Sequence, residues 1–94
     1  MLQQAVAQDP GQALLWAEIG EALVASADCK SAIAAYEQCF LALPERVDLL
    51  WKMGDCYQLI GQHESAGAAY EAALQKDAAC REAIEGLMKV KGLP

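Results

Sequence analysis

Positive charge, aromatic rings and long apolar runs are all scarce in this chain of 94 residues. Seven Lys and Arg stand against 13 Asp and Glu, a formal net charge of -6. Without a basic cluster, such a surface is repelled by phosphodiester backbones and by anionic lipid, so no nucleic acid and no membrane is expected among its partners. No run approaches the roughly 18 apolar residues that a helix needs to cross a bilayer. Ahead of Asp9 and Pro10 there is no basic stretch followed by an apolar one, which sets the expectation of a chain without a targeting leader, at work in the cytoplasm.

Reactive side chains are equally thin. His63 is the sole histidine, without a Cys or Ser arranged around it in sequence, and reads as a surface or cap residue. Four cysteines fall at 29, 39, 56 and 80, none in a C-x-x-C spacing. They read as small buried hydrophobes of a reducing compartment rather than as zinc or redox ligands. Ser26, Ser31 and Ser65 lie in turns or first helical turns, where hydroxyls serve free backbone amides, and no G-x-S-x-G elbow surrounds them. Gly11, Gly61 and Gly67 build no phosphate cradle. The acidic pairs Glu18 with Glu21 and Glu82 with Glu85 are explained by a solvated helix face. No catalytic residue, metal or cofactor is therefore expected.

What the chain does have is alanine and repetition. Hydrophobic residues make up 55% of it, and 19 of the 94 positions are Ala, a strong helix former with little bulk. Sliding the sequence along itself until Pro10 meets Pro44 also superposes Trp16 on Leu50 and, one step further, on Ile84, and Ile19 on Met53 and Leu87. The same shift pairs Gly20 with Gly54, Ala32 with Ala66, Tyr36 with Tyr70 and Phe40 with Leu74. Run backwards, it places Leu2, Ala5 and Val6 under Tyr36, Cys39 and Phe40, so the chain opens on the second half of a unit. A fixed period of this length signals units that stack on their neighbours.

Within each unit the apolar spacing is helical, as in Leu15, Trp16, Ile19 and Leu23, then Ala32, Ile33, Tyr36 and Phe40. The expected helices are 1–8, 12–26, 29–42, 46–60, 63–76 and 79–91. Asp28 suits a helix start and Gly61 a left-handed helix end, and turns this short force antiparallel pairs. Gly20 and Gly54 fall mid-helix, where glycine costs roughly 1 kcal/mol relative to alanine. Close approach of the paired helix at Ala32 and Ala66 is the reason expected for them.

These residues carry a resemblance. W-x-x-I-G-x-x-L from Trp16 to Leu23, A-x-x-x-Y-x-x-C-F from Ala32 to Phe40 and the closing Pro44 resemble a tetratricopeptide repeat. The second unit keeps M-G-x-x-Y from Met53 to Tyr57 and A-x-x-x-Y-x-x-A-L from Ala66 to Leu74, with Leu50 in place of the Trp and Ala78 in place of the Pro. The resemblance implies an all-α, right-handed superhelical solenoid of antiparallel helix pairs, with five to six helices. It divides into a half repeat 1–12, repeats 13–46 and 47–80, and a capping helix 81–94.

The resemblance also implies a concave groove lined by the first helix of each pair. Its expected floor is Leu14, Ala17, Glu18, Glu21, Val24 and Ala25 from the first unit, Asp48, Trp51, Lys52, Asp55, Gln58 and Leu59 from the second, and Glu82, Glu85 and Lys89 from the last helix. Trp51 stands one place beyond the core slot of Leu50 and is the expected aromatic anchor. An acidic groove steers in a basic or amphipathic segment. Family members that grip the C-terminal carboxylate of a chaperone tail use Lys and Asn where this chain has Ala17, Glu18, Glu21, Trp51, Lys52 and Asp55. Only one of those six is cationic, so that function is disfavoured.

The reading that follows is a non-catalytic scaffold of bacterial style that binds a protein or peptide. Two alternatives stand beside it: a small specialised chaperone for a secreted partner, and an accessory segment of a larger enzyme such as a glycosyltransferase. Apolar residues at either end, Leu2 and Val6 or Ile84, Leu87 and Met88, favour self-association through the terminal helices.

Overall fold

The computed structural model describes residues 10–92, and the helix expected over 1–8 lies outside them. Among the described residues there are five α-helices and no strand: α1 (Pro10–Ala25), α2 (Cys29–Ala42), α3 (Val47–Leu59), α4 (His63–Lys76) and α5 (Arg81–Val90). The spans expected at 29–42 and 63–76 coincide with α2 and α4. The others shift by a residue or two at their ends. Helix α1 includes Pro10, the first described residue, ahead of the expected 12; a proline fits a first helical turn, where its missing N–H is not needed.

Each helix packs on its successor, and α3 also meets α5. The connections explain the order. After α1, Asp28 N–H bonds to the Leu23 carbonyl at 2.8 Å and Ala27 N–H to that of Val24 at 2.9 Å. After α3, Gln62 bonds to Tyr57 at 2.9 Å and Gly61 to Gln58 at 3.0 Å. These four residues are the first four moved by the interval that carries Pro10 onto Pro44. Both turns require a left-handed residue, with φ 64° at Ala27 and 81° at Gly61. The longer connections match in the same way: Leu43 bonds back to Cys39 and Arg46 to Leu43, as Asp77 bonds to Ala73 and Cys80 to Asp77. Asp28 caps α2 as expected, its carboxylate accepting from Ser31 N–H at 3.3 Å.

The core is a string of small and aromatic side chains between the helix pairs, with Ala32, Tyr36, Cys39, Leu49, Ala66, Tyr70 and Ala73 all nearly inaccessible. Here the expectation for the mid-helix glycines is corrected. Gly20 faces the ring of Tyr36, and Gly54 faces that of Tyr70, rather than Ala32 and Ala66. A Cβ on Gly54 would lie 2.6 Å from the Tyr70 ring, and one on Gly20 would lie 2.8 Å from Tyr36. The glycines are therefore sockets for flat rings on the neighbouring helix. Gly86 of α5 also closes on the Tyr70 ring, so one ring joins three helices.

Candidate functional site

The residues expected to line a groove lie on α1, α3 and α5, and their fates differ. Asp55, Gln58 and Leu59 of α3 meet Lys89 of α5 around a hollow of about 320 Å³. Leu59 is 70% exposed there, the most open large apolar side chain among the described residues. Leu14 on α1 is 49% exposed, and Glu18, Ala25, Glu82 and Glu85 all face solvent.

Two expected floor residues turn inward. Ala17 is a core residue, only 7% exposed, and Val24 is half-buried against the same core. The cause is proximity: the backbone N–H of Ala17 is directed at the Cys39 sulfur, so α2 lies directly behind it. Trp51 is shared between the two roles. Its ring packs on the core while remaining partly open, and the Lys52 ammonium sits 5.8 Å from its centroid.

Charge on this face is more paired than a count of acids implies. Lys52 binds Glu21 at 2.7 Å, tying α3 to α1, and reaches Asp48 at 3.6 Å one turn back. The Arg46 guanidinium forks onto both oxygens of Asp48, through Nε at 3.0 Å and through Nη2. Burial works to raise the pKa of Asp48, but the Arg46 hydrogen bond and the charges of Arg46 and Lys52 outweigh it and hold the carboxyl below its ordinary range. Arg46 escaped the sequence reading because it precedes α3. The signal was its placement two residues before an acid in a first turn.

Asp55 and Gln58 do a second task that periodicity does not reveal. The Tyr70 hydroxyl donates to the Asp55 carboxylate and accepts from Gln58 Nε2 at 2.7 Å. Burial, then Asp55, push the Tyr70 pKa well above the usual phenol value, so the hydroxyl stays a neutral donor. The floor of the hollow is in this way fixed to the core. Of the acids expected there, Asp48, Glu21 and Asp55 have partners, while Glu18, Glu82 and Glu85 project outward; Glu82 Oε1 lies 3.9 Å from the Cys80 thiol.

Reactive groups do not converge on this face. The four cysteines are free and buried. Burial, with Cys29 adding, pushes the Cys56 thiol up to about 12, and burial also raises Cys39, which keeps both protonated and poorly nucleophilic. His63 is exposed at the start of α4. Among the described residues no three His, Cys, Asp or Glu side chains come together as a metal-ligand set, and no helix is long and apolar enough to cross a membrane. No protein-family model matches the chain, and a search of curated proteins finds no significant match.

Proposed function

We propose that this chain is a tetratricopeptide-like interaction module that holds a basic or amphipathic peptide, or a partner helix, on the face shared by α1, α3 and α5, and that it performs no catalysis. In this reading the repeats 13–46 and 47–80 stack as a right-handed solenoid in the cytoplasm, between the half repeat 1–12 and the capping helix 81–94. The recurrence of the same backbone bonds at positions one repeat apart supports the solenoid. The observation that carries the binding role is the hollow between α3 and α5. It combines an open apolar side chain, Leu59, with an anchored carboxylate, an amide and an ammonium group. A peptide floor needs such a pairing: an apolar anchor for affinity and fixed polar groups for register.

Calorimetric titration with amphipathic helical peptides, one set with a Lys-rich polar face and one with a Glu-rich face, tests the proposal. The basic set is expected to bind, with affinity falling severalfold as salt rises, since exposed charges are screened. Leu59→Asp is expected to abolish that binding with melting unchanged, because the side chain is already in water. Equal binding of the acidic set, or indifference to Leu59→Asp, refutes the reading.

A further inference from the structure

Each polar group in the hollow between α3 and α5 has a fixed sense. The Tyr70 hydroxyl has a single proton and gives it to Asp55 Oδ1, so toward Gln58 it can only accept. Gln58 must therefore spend its amide nitrogen on Tyr70, which turns its carbonyl oxygen away from that ring. Asp55 keeps Oδ2, which takes no hydrogen bond from a described residue. Lys89 on α5 likewise has no ion-pair or hydrogen-bond partner among the described residues. The hollow of about 320 Å³ thus offers two acceptor oxygens from α3, one cationic donor from α5, and the open side chain of Leu59. Repetition does not require this set. One repeat earlier the places of Asp55, Gln58 and Leu59 hold Glu21, Val24 and Ala25, and Glu21 is spent on Lys52. One repeat later the place of Asp55 holds Lys89 itself.

The sense of these groups selects what can enter. A carboxylate would satisfy Lys89 but would be set against two oxygens. An ammonium or guanidinium group would satisfy the oxygens but would be set against Lys89. A primary carboxamide answers all three, with two N–H donors for the oxygens and a carbonyl for the ammonium group, and being neutral it leaves water at less cost than an ion. A main-chain amide has one N–H and leaves an oxygen unanswered. We infer that this hollow takes the side-chain carboxamide of a glutamine on the bound peptide, its N–H groups toward Asp55 and Gln58, its carbonyl toward Lys89 and its methylenes on Leu59. The inference rests on the peptide-binding reading and deepens it: the outward-facing Glu18, Glu82 and Glu85 steer a basic segment in, and the hollow sets its register by reading one neutral side chain.

The test titrates the full chain with Lys-rich amphipathic helical peptides that carry one variable residue at the border of the apolar face, moved along the helix in successive peptides. At one position glutamine is expected to bind about three- to tenfold tighter than glutamate, lysine or norleucine, the worth of one or two hydrogen bonds. Lys89→Met, a change on an exposed side chain, is expected to erase the difference between glutamine and norleucine with melting unchanged. Asp55→Asn keeps an oxygen for the Tyr70 proton and turns an N–H donor outward in place of Oδ2, so the preference is expected to reverse toward glutamate. Misfolding does not produce such a reversal. Equal binding of the four residues at every position, with Leu59→Asp still abolishing it, overturns this inference and leaves the peptide-binding reading standing. Tightest binding of the lysine or the glutamate peptide to the parent chain overturns it as well, and failure of every basic peptide to bind overturns both.

Discussion

At Ala27 an ordinary residue holds φ 64°, in a turn whose counterpart is Gly61. A side chain in the left-handed region costs about 1–2 kcal/mol, and glycine loses part of that advantage through its freer unfolded state. Ala27→Gly is therefore expected to stabilise the fold by about 0.5–1 kcal/mol, seen as a rise of a few degrees in thermal melting; an unchanged or lower midpoint refutes the strain. Gly54 answers to the opposite constraint. Its helical position would gain roughly 1 kcal/mol from alanine, yet the new methyl would meet the Tyr70 ring at 2.6 Å. Overpacking of about 1–3 kcal/mol wins, so Gly54→Ala is expected to lower the melting temperature. In a Tyr70→Leu background, where the ring is gone, the same change should be neutral or stabilising. The sequence marked both glycines as unusual, but which partner each one admits depends on how far a tyrosine reaches across the helix pair.

Between elements, the polar link from α1 to α3 runs through Glu21, Lys52 and Asp48, with Arg46 anchoring the last. Asp48 has a folded pKa below its ordinary 3.8. Its contribution to stability is thus complete above about pH 4 and is lost as pH falls through the lower folded value. Asp48→Asn is expected to melt below the parent chain at neutral pH, with the gap closing as the solution is acidified below about pH 4. Melting curves across an acid series measure this, and a gap that persists at low pH would show that packing, not charge, supplies the difference. Helix spans were legible from periodicity and caps, and α2 and α4 fall where expected. The pairing of groove residues with each other was not, because periodicity assigns a side chain to a face without saying which neighbour reaches it.

For the whole molecule, the buried rings of Tyr36 and Tyr70 join successive helices. Burial, with Glu21 adding, pushes Tyr36 up to about 12, and burial raises Tyr57 and Tyr70 as well. A raised phenol pKa means stability that is fully present below about pH 10 and is lost as pH climbs through the folded values. Alkaline titration is expected to show tyrosinate absorbance appearing together with loss of helical circular dichroism, between pH 10 and about 12. Ionisation of all three phenols near 10 with helicity intact would contradict the burial of Tyr36 and Tyr70 and the partial burial of Tyr57.

What the amino-acid order determined by itself is the class of structure: helices, their lengths, their turns and the fixed interval at which Gly20, Tyr36 and their partners recur. These are local or periodic properties, written in spacing, in capping residues and in the size of side chains. Tertiary structure decided the rest. It put Ala17 in the core, gave Gln58 and Asp55 to the Tyr70 hydroxyl, and left Leu59 open beside Lys89. Each of those outcomes turns on a distance between two helices, and a helix's own sequence fixes the direction of its side chains but not the distance at which the next helix stops.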